Sequence, residues 1–159
     1  MSNIVYINIL ADSLQKKQTA LQEILKITKQ QEELLKIGDF AEEDFLKLVN
    51  QKQRYISKMQ ELDNGFESIY NRVKVELEAG KEQYRSQITH IQHLIVQVTE
   101  LGVDIEALEK RNKTQMDKVI EQRQENIRGK RTNNNGVSNY YRSMLSQQYN
   151  QSYFLDQKK

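Results

Sequence analysis

His90 and His93 are the only imidazoles in the chain, and they stand three residues apart. That is one helical turn, a spacing that lets two side chains share a metal ion when facing helices add carboxylates. The residue three before His90 is Gln87, where a Glu-x-x-His arrangement needs an acid. The pair therefore reads as two histidines on a helix flank, and no metal is expected. Cysteine is absent, which removes disulfides and thiolate ligands. No glycine-rich phosphate loop and no nucleophile elbow occur, and nothing pairs a nucleophile with a base. The acidic residues are spread along helix flanks, the pattern of a solvated face. Neither catalysis nor a cofactor is expected.

A second group of reactive and aromatic side chains lies near the C-terminus. Tyr140, Tyr141, Tyr149 and Tyr153 are four of the eight tyrosines, and Met144, Leu145, Phe154 and Leu155 lie among them. Tyrosines among basic residues suit single-stranded nucleic acid, where aromatics stack on bases and Lys or Arg meets phosphate. Lys130, Arg131, Arg142, Lys158 and Lys159 against Asp156 put +4 on residues 129–159; the total is +2, which leaves −2 on residues 1–128. The basic residues are scattered and the charge is weak, so no nucleic-acid partner is expected. Tyr141, Met144, Leu145 and Tyr149 fall at i, i+3, i+4 and i+8, the face of an amphipathic segment that docks into a groove or receives another helix. Such a tail either meets a protein partner or packs back on its own bundle.

The elements that must position these residues are helical. Proline is absent, so nothing forces a helix to stop, and glycines supply the punctuation. Ile4, Ile7, Ala11, Leu14, Leu21, Leu25 and Leu35 recur at helical spacing, with Gln18, Thr28 and Glu32 filling the same stripe. Gly38 suits a left-handed C-terminus. Asp39 then caps a second helix, with Glu42 three residues on to complete a capping box. The second stripe is Phe45, Leu48, Lys52, Ile56, Met59, Leu62, Phe66, Ile69, Val73 and Leu77, always three or four residues apart. Asn64-Gly65 interrupts its composition but not its phase. A continuous helix to about Ala79 and a tight turn around Gly80 is the favoured reading; a helix ending at Asp63, with Phe66 opening another, is the competing one.

The third stripe runs Ile88, Ile91, Leu94, Ile95, Val98, Leu101, Ile105, Leu108, Asn112, Met116, Val119, Ile120 and Ile127. Glu106 with Lys110 and Glu109 with Lys113 have the acid-before-base order that supports a helix. Gly102 is either a close helix approach or a tolerated glycine. The expected fold is all-α: an elongated antiparallel three-helix bundle, a helical hairpin coiled coil extended by a third helix, over residues 1–129. Asn133-Asn134-Asn135-Gly136 then breaks the helix, and residues 130–159 form a flexible, polar, Tyr-rich tail. No apolar run reaches the roughly 18 to 20 residues of a membrane span. The opening Ile4-Val5-Tyr6-Ile7 run has no basic residue before it, so it reads as a helix start, not a signal peptide. A cytoplasmic protein is expected.

Several of these blocks resemble the FlgN family of flagellar export chaperones, in the version found in clostridial-type bacteria. They are the hinge Gly38-Asp39-Phe40, Phe45-Leu46-x-Leu48-Val49-x-x-Lys52-x-x-x-Ile56, Leu62-Asp63-x-Gly65-Phe66-Glu67-x-Ile69-Tyr70 and Ile105-x-Ala107-Leu108-Glu109-x-Arg111-Asn112. The endings Tyr140-Tyr141-Arg142-Ser143-Met144 and Phe154-Leu155-Asp156-x-Lys158-Lys159 belong with them. The resemblance implies a cytosolic chaperone that binds the terminal segments of hook-associated (hook–filament junction) proteins. It implies that the chaperone keeps them from aggregating and delivers them to the export gate. It places client contact in the C-terminal amphipathic segment, here the end of the third helix and the tail. Because Asn133-Asn134-Asn135-Gly136 separates the two, contact falls either on Met116, Val119, Ile120 and Ile127 or on Tyr140, Tyr141, Met144, Leu145, Tyr149, Tyr153, Phe154 and Leu155. A structural or adaptor coiled-coil bundle without a secretion client is the alternative, and the pattern leaves a homodimer open.

Overall fold

The computed structural model describes residues 3–127, so the tail and its tyrosines lie outside the described residues. Three helices make up nearly all of it: α1 (Asn3–Ile37), α2 (Glu42–Ala79) and α3 (Arg85–Asn126). At 1.5 Å per residue they are about 52, 57 and 63 Å long. α2 runs antiparallel to α1, and α3 returns antiparallel to α2. Asn64-Gly65 lies within one unbroken α2, as the unbroken phase predicts. No strand occurs among the described residues.

α1 is the middle element. It packs against both α2 and α3, whereas no Cα atom of α2 comes within 8 Å of one of α3. A helix with two neighbours needs a wide buried face, and α1 has one. Ile7, Leu10, Leu14, Lys17, Leu21, Ile24, Thr28, Gln31 and Leu35 alternate steps of three and four along it, and Ala20 and Ile27 widen the face. The single stripe expected for α1 is thus corrected: Ile4 is exposed, and Ala11, Gln18, Leu25 and Glu32 are half-buried at the edges. On α2 the seam is Phe45, Val49, Lys52, Ile56, Met59 and Asp63, so Leu48 and Leu62 sit one position off it, half-buried. α3 buries most of its expected stripe from Leu94 to Val119, with Gly102 facing inward.

The first turn departs from expectation. Gly38 takes φ 77°, the left-handed conformation, and its amide donates to the Leu34 carbonyl at 3.0 Å. The capping box does not form, because α2 starts three residues after Asp39; its N-cap is Ala41, with no side-chain hydrogen bond. Phe40 explains the delay. Its ring turns into the core and stacks on Phe45 at 5.5 Å, so the loop must stay extended long enough to place it. Glu42, Glu43 and Asp44 then put negative charge at the helix N-terminus, where the macrodipole favours it.

Candidate functional site

The core is divided along its length by charge. Near the first turn, Leu35, Phe40, Phe45, Val49, Met116 and Val119 form one apolar cluster. Midway, Ala20, Leu21, Ile24, Ile56, Met59, Val98 and Ile105 form another. Between them lies a polar layer in which buried Lys52 of α2 is ion-paired with buried Glu109 of α3. Thr28 Oγ1 donates to the Ile24 carbonyl at 2.7 Å and lies 3.3 Å from Glu109 Oε1, and Asn112 Nδ2 donates to the Thr28 carbonyl at 3.1 Å. Gln31 is fully buried in the same stretch of α1, and no protein group among the described residues meets its amide. A second buried pair, Lys17 with Asp63, joins α1 to α2. Burial drives the Lys52 ammonium below its ordinary value of 10.5, against the pull and hydrogen bond of Glu109.

Two readings of the acidic residues are corrected here. Asp63 and Glu109 are not on solvated flanks, and Glu109 turns inward to Lys52, not along the surface to Lys113. The Glu106–Lys110 pair forms as expected, at 3.5 Å. Long charged side chains suit this place because α2 and α3 stand too far apart for short ones to meet. Lys52, Asp63, Glu109 and Asn112 all lie within the sequence blocks that carry the family resemblance.

The end of α3 is closed. Met116 and Val119 face the core, Ile120 packs at its edge, and Ile127 is half-buried just past the helix. Arg123 clasps this end to the first turn: Nη2 donates to the Phe40 carbonyl at 2.8 Å and the Gly38 carbonyl at 3.3 Å. Its guanidinium carbon stands 4.5 Å over the Phe40 ring. The other proposed partner residues, Tyr140, Tyr141, Met144, Leu145, Tyr149, Tyr153, Phe154 and Leu155, lie outside the described residues. His90 and His93 are both exposed, and no cluster of three or more metal-ligating side chains occurs among the described residues.

The opposite end is open, which the sequence reading did not find. Between α2 and α3 near the second turn runs a groove floored by Leu10 of α1. Phe66, Tyr70 and Leu77 line one wall, and Ile88, Ile91 and Ile95 the other. All were expected to be core except Tyr70, yet none is fully buried, and Tyr70 is 42% exposed. The rims carry Glu67, Lys74, Glu78 and Arg85. The sequence carries no direct signal for it, because Phe66, Leu77, Ile88, Ile91 and Ile95 have the same spacing as core residues.

No helix among the described residues is long and apolar enough to cross a membrane. No curated protein and no solved structure matches the chain. The family model described as "FlgN protein" matches residues 1–144, all three helices and the start of the tail. The chain belongs to the FlgN family, the flagellar export chaperones.

Proposed function

We propose that this chain is a cytoplasmic chaperone of flagellar type III secretion. It binds the terminal segments of hook-associated proteins, keeps them from aggregating and delivers them to the export gate. The observation that carries the reading is the family match over residues 1–144 on a helical bundle that leaves apolar surface uncovered. A disordered but amphipathic client needs an apolar strip to fold against, and ordering it consumes part of the binding energy, so the complex stays releasable.

Contact on the chaperone falls to the C-terminal residues. Tyr141, Met144, Leu145 and Tyr149 are the chief candidates, with Tyr140, Tyr153, Phe154 and Leu155 as further ones, and they meet the client or the gate. Each large apolar side chain removed from water contributes about 1.5 to 3 kcal/mol before ordering costs. Two or three decide whether a micromolar complex forms, since about 1.4 kcal/mol is a factor of ten. Met116, Val119, Ile120 and Ile127 are the second candidate strip, and using Met116 and Val119 requires the closed end to open. The test is to cut the chain after Gly129 and measure client and gate binding by calorimetry. Loss of either affinity supports the tail. Equal binding of both transfers the role away from it.

A further inference from the structure

Resting on that reading, we propose that the groove between α2 and α3 receives an amphipathic helix of the client, leaving the C-terminal tail at the other end for the export gate. Phe66, Tyr70 and Leu77 repeat at four and seven residues, and Ile88, Ile91 and Ile95 at three and four. These are two coiled-coil seams that face a common gap over Leu10 of α1 and lack a further helix to close it. From Phe66 to Leu77 the gap is about 17 Å long, three helical turns. An apolar channel rimmed by charge is the shape into which an amphipathic helix lays its apolar face.

The occupant is identified by shape, charge and reach. The rim alternates in sign, with Glu67 and Glu78 either side of Lys74 on α2 and Arg85 opposite on α3. It therefore suits a helix whose flanks mix Lys and Glu around an apolar stripe, and not a strongly basic or acidic one. A second copy set groove to groove leaves a void, since both surfaces are concave. The chain's own tail leaves the bundle at the wrong end. Ile127 lies 32 residues along α3 from Ile95, about 48 Å.

The experiment uses the full chain and peptides from the two ends of a hook-associated protein of the same cell. Tyr70→Glu and Ile91→Glu each place a charge on a wall that is already partly wet, and Tyr70→Ala and Ile88→Ala serve if either acid perturbs folding. Groove variants should weaken client-peptide binding at least ten-fold for the acids and several-fold for the alanines, with the dichroism spectrum unchanged. Cutting after Gly129 should leave client binding within two-fold. Because the chain has no cysteine, a fluorophore on Asn71→Cys at the rim can report occupancy. Its signal should change on peptide addition, while a label on Glu121→Cys at the closed end should stay constant. Groove variants that bind as the parent does overturn the groove and leave the chaperone reading standing. A parent chain that binds neither peptide removes both. Light scattering that shows a dimer abolished by Tyr70→Glu also overturns the proposal, since the groove then belongs to a second copy.

Discussion

The two ends of the bundle carry the same helical spacing and treat it in opposite ways. At the first turn the gap between α2 and α3 is filled: Phe40 enters from the loop, stacks on Phe45, and joins Leu35, Met116 and Val119. Arg123 then ties α3 across the loop. At the second turn no comparable plug exists, because Tyr84 folds over the turn itself, with ring carbons close to Gly80. The gap stays open there and Phe66, Tyr70, Ile88 and Ile91 are left half-covered. One aromatic residue in a loop therefore decides whether a pair of seams becomes core or groove.

The sharpest way to break this contrast is truncation at both ends. Phe45 is fully buried, so Phe45→Ala should cost about 3 to 5 kcal/mol in urea unfolding, by lost transfer energy plus a cavity. Ile88→Ala, at a half-covered site, should cost less than about 1.5 kcal/mol by the same reasoning. Equal losses would mean that the second end is closed in solution.

The polar layer beside the closed end comes next. Glu109→Ala leaves the Lys52 charge buried and alone, which should cost about 3 to 5 kcal/mol. Replacing both partners, as Lys52→Met with Glu109→Leu, should restore or exceed parental stability. The pH dependence has a definite sign. Between the depressed native value of Lys52 and 10.5, the unfolded chain holds a proton that the native one lacks. The penalty for burying the charge is therefore fully present below that interval and fades as pH rises through it, so this group makes stability climb toward 10.5. Denaturant midpoints compared between the parent and the double variant should show that slope in the parent alone.

How much of this was legible follows from which information was local. The helices, the unbroken α2 and the Gly38 turn are properties of spacing and of one glycine's φ, and the sequence carries them directly. The width of the α1 face was not legible, because a helix with two neighbours buries Leu10, Ala20, Ile24 and Ile27 as well as a single stripe. Lys52 and Thr28 fell on expected stripes, whereas Asp63 and Glu109 read as solvated and Lys17 and Gln31 fell on no stripe. A charged residue looks exposed until its partner on another helix is known. The groove was hidden for the reverse reason: Ile88, Ile91 and Leu77 have core spacing, and only the tertiary arrangement shows that nothing covers them. The Asp39 cap failed because Phe40 set the loop length.

Gln31 offers a smaller effect in the closed half. Its amide is fully buried without a protein partner among the described residues, so it carries a desolvation penalty of about 1 to 3 kcal/mol. Gln31→Leu keeps most of the volume and should raise the denaturation midpoint by a part of that. A lowered midpoint would show that the amide makes a favourable contact in solution.

The smallest effect compares a glycine at the closed end with one where the groove begins. Gly38 sits at φ 77°, where an L side chain is strained by about 1 to 2 kcal/mol, so Gly38→Ala should destabilise the first turn by that amount although its Cβ would meet open space. Gly65 is exposed in the middle of α2, and a Cβ there meets nothing within 4 Å. Glycine inside a helix gives up more backbone freedom on folding than alanine, so Gly65→Ala should stabilise by about 0.5 to 1 kcal/mol. The two substitutions are chemically identical and both add a methyl group to empty space, so the opposite signs isolate backbone conformation from packing. Gly65 also adjoins Phe66, the first residue of the groove wall. If α2 broke at Asn64-Gly65 in solution with Gly65 in the left-handed region, Gly65→Ala would destabilise as Gly38→Ala does. A gain in the denaturation midpoint therefore requires the continuous α2 that holds Phe66, Tyr70 and Leu77 in one line.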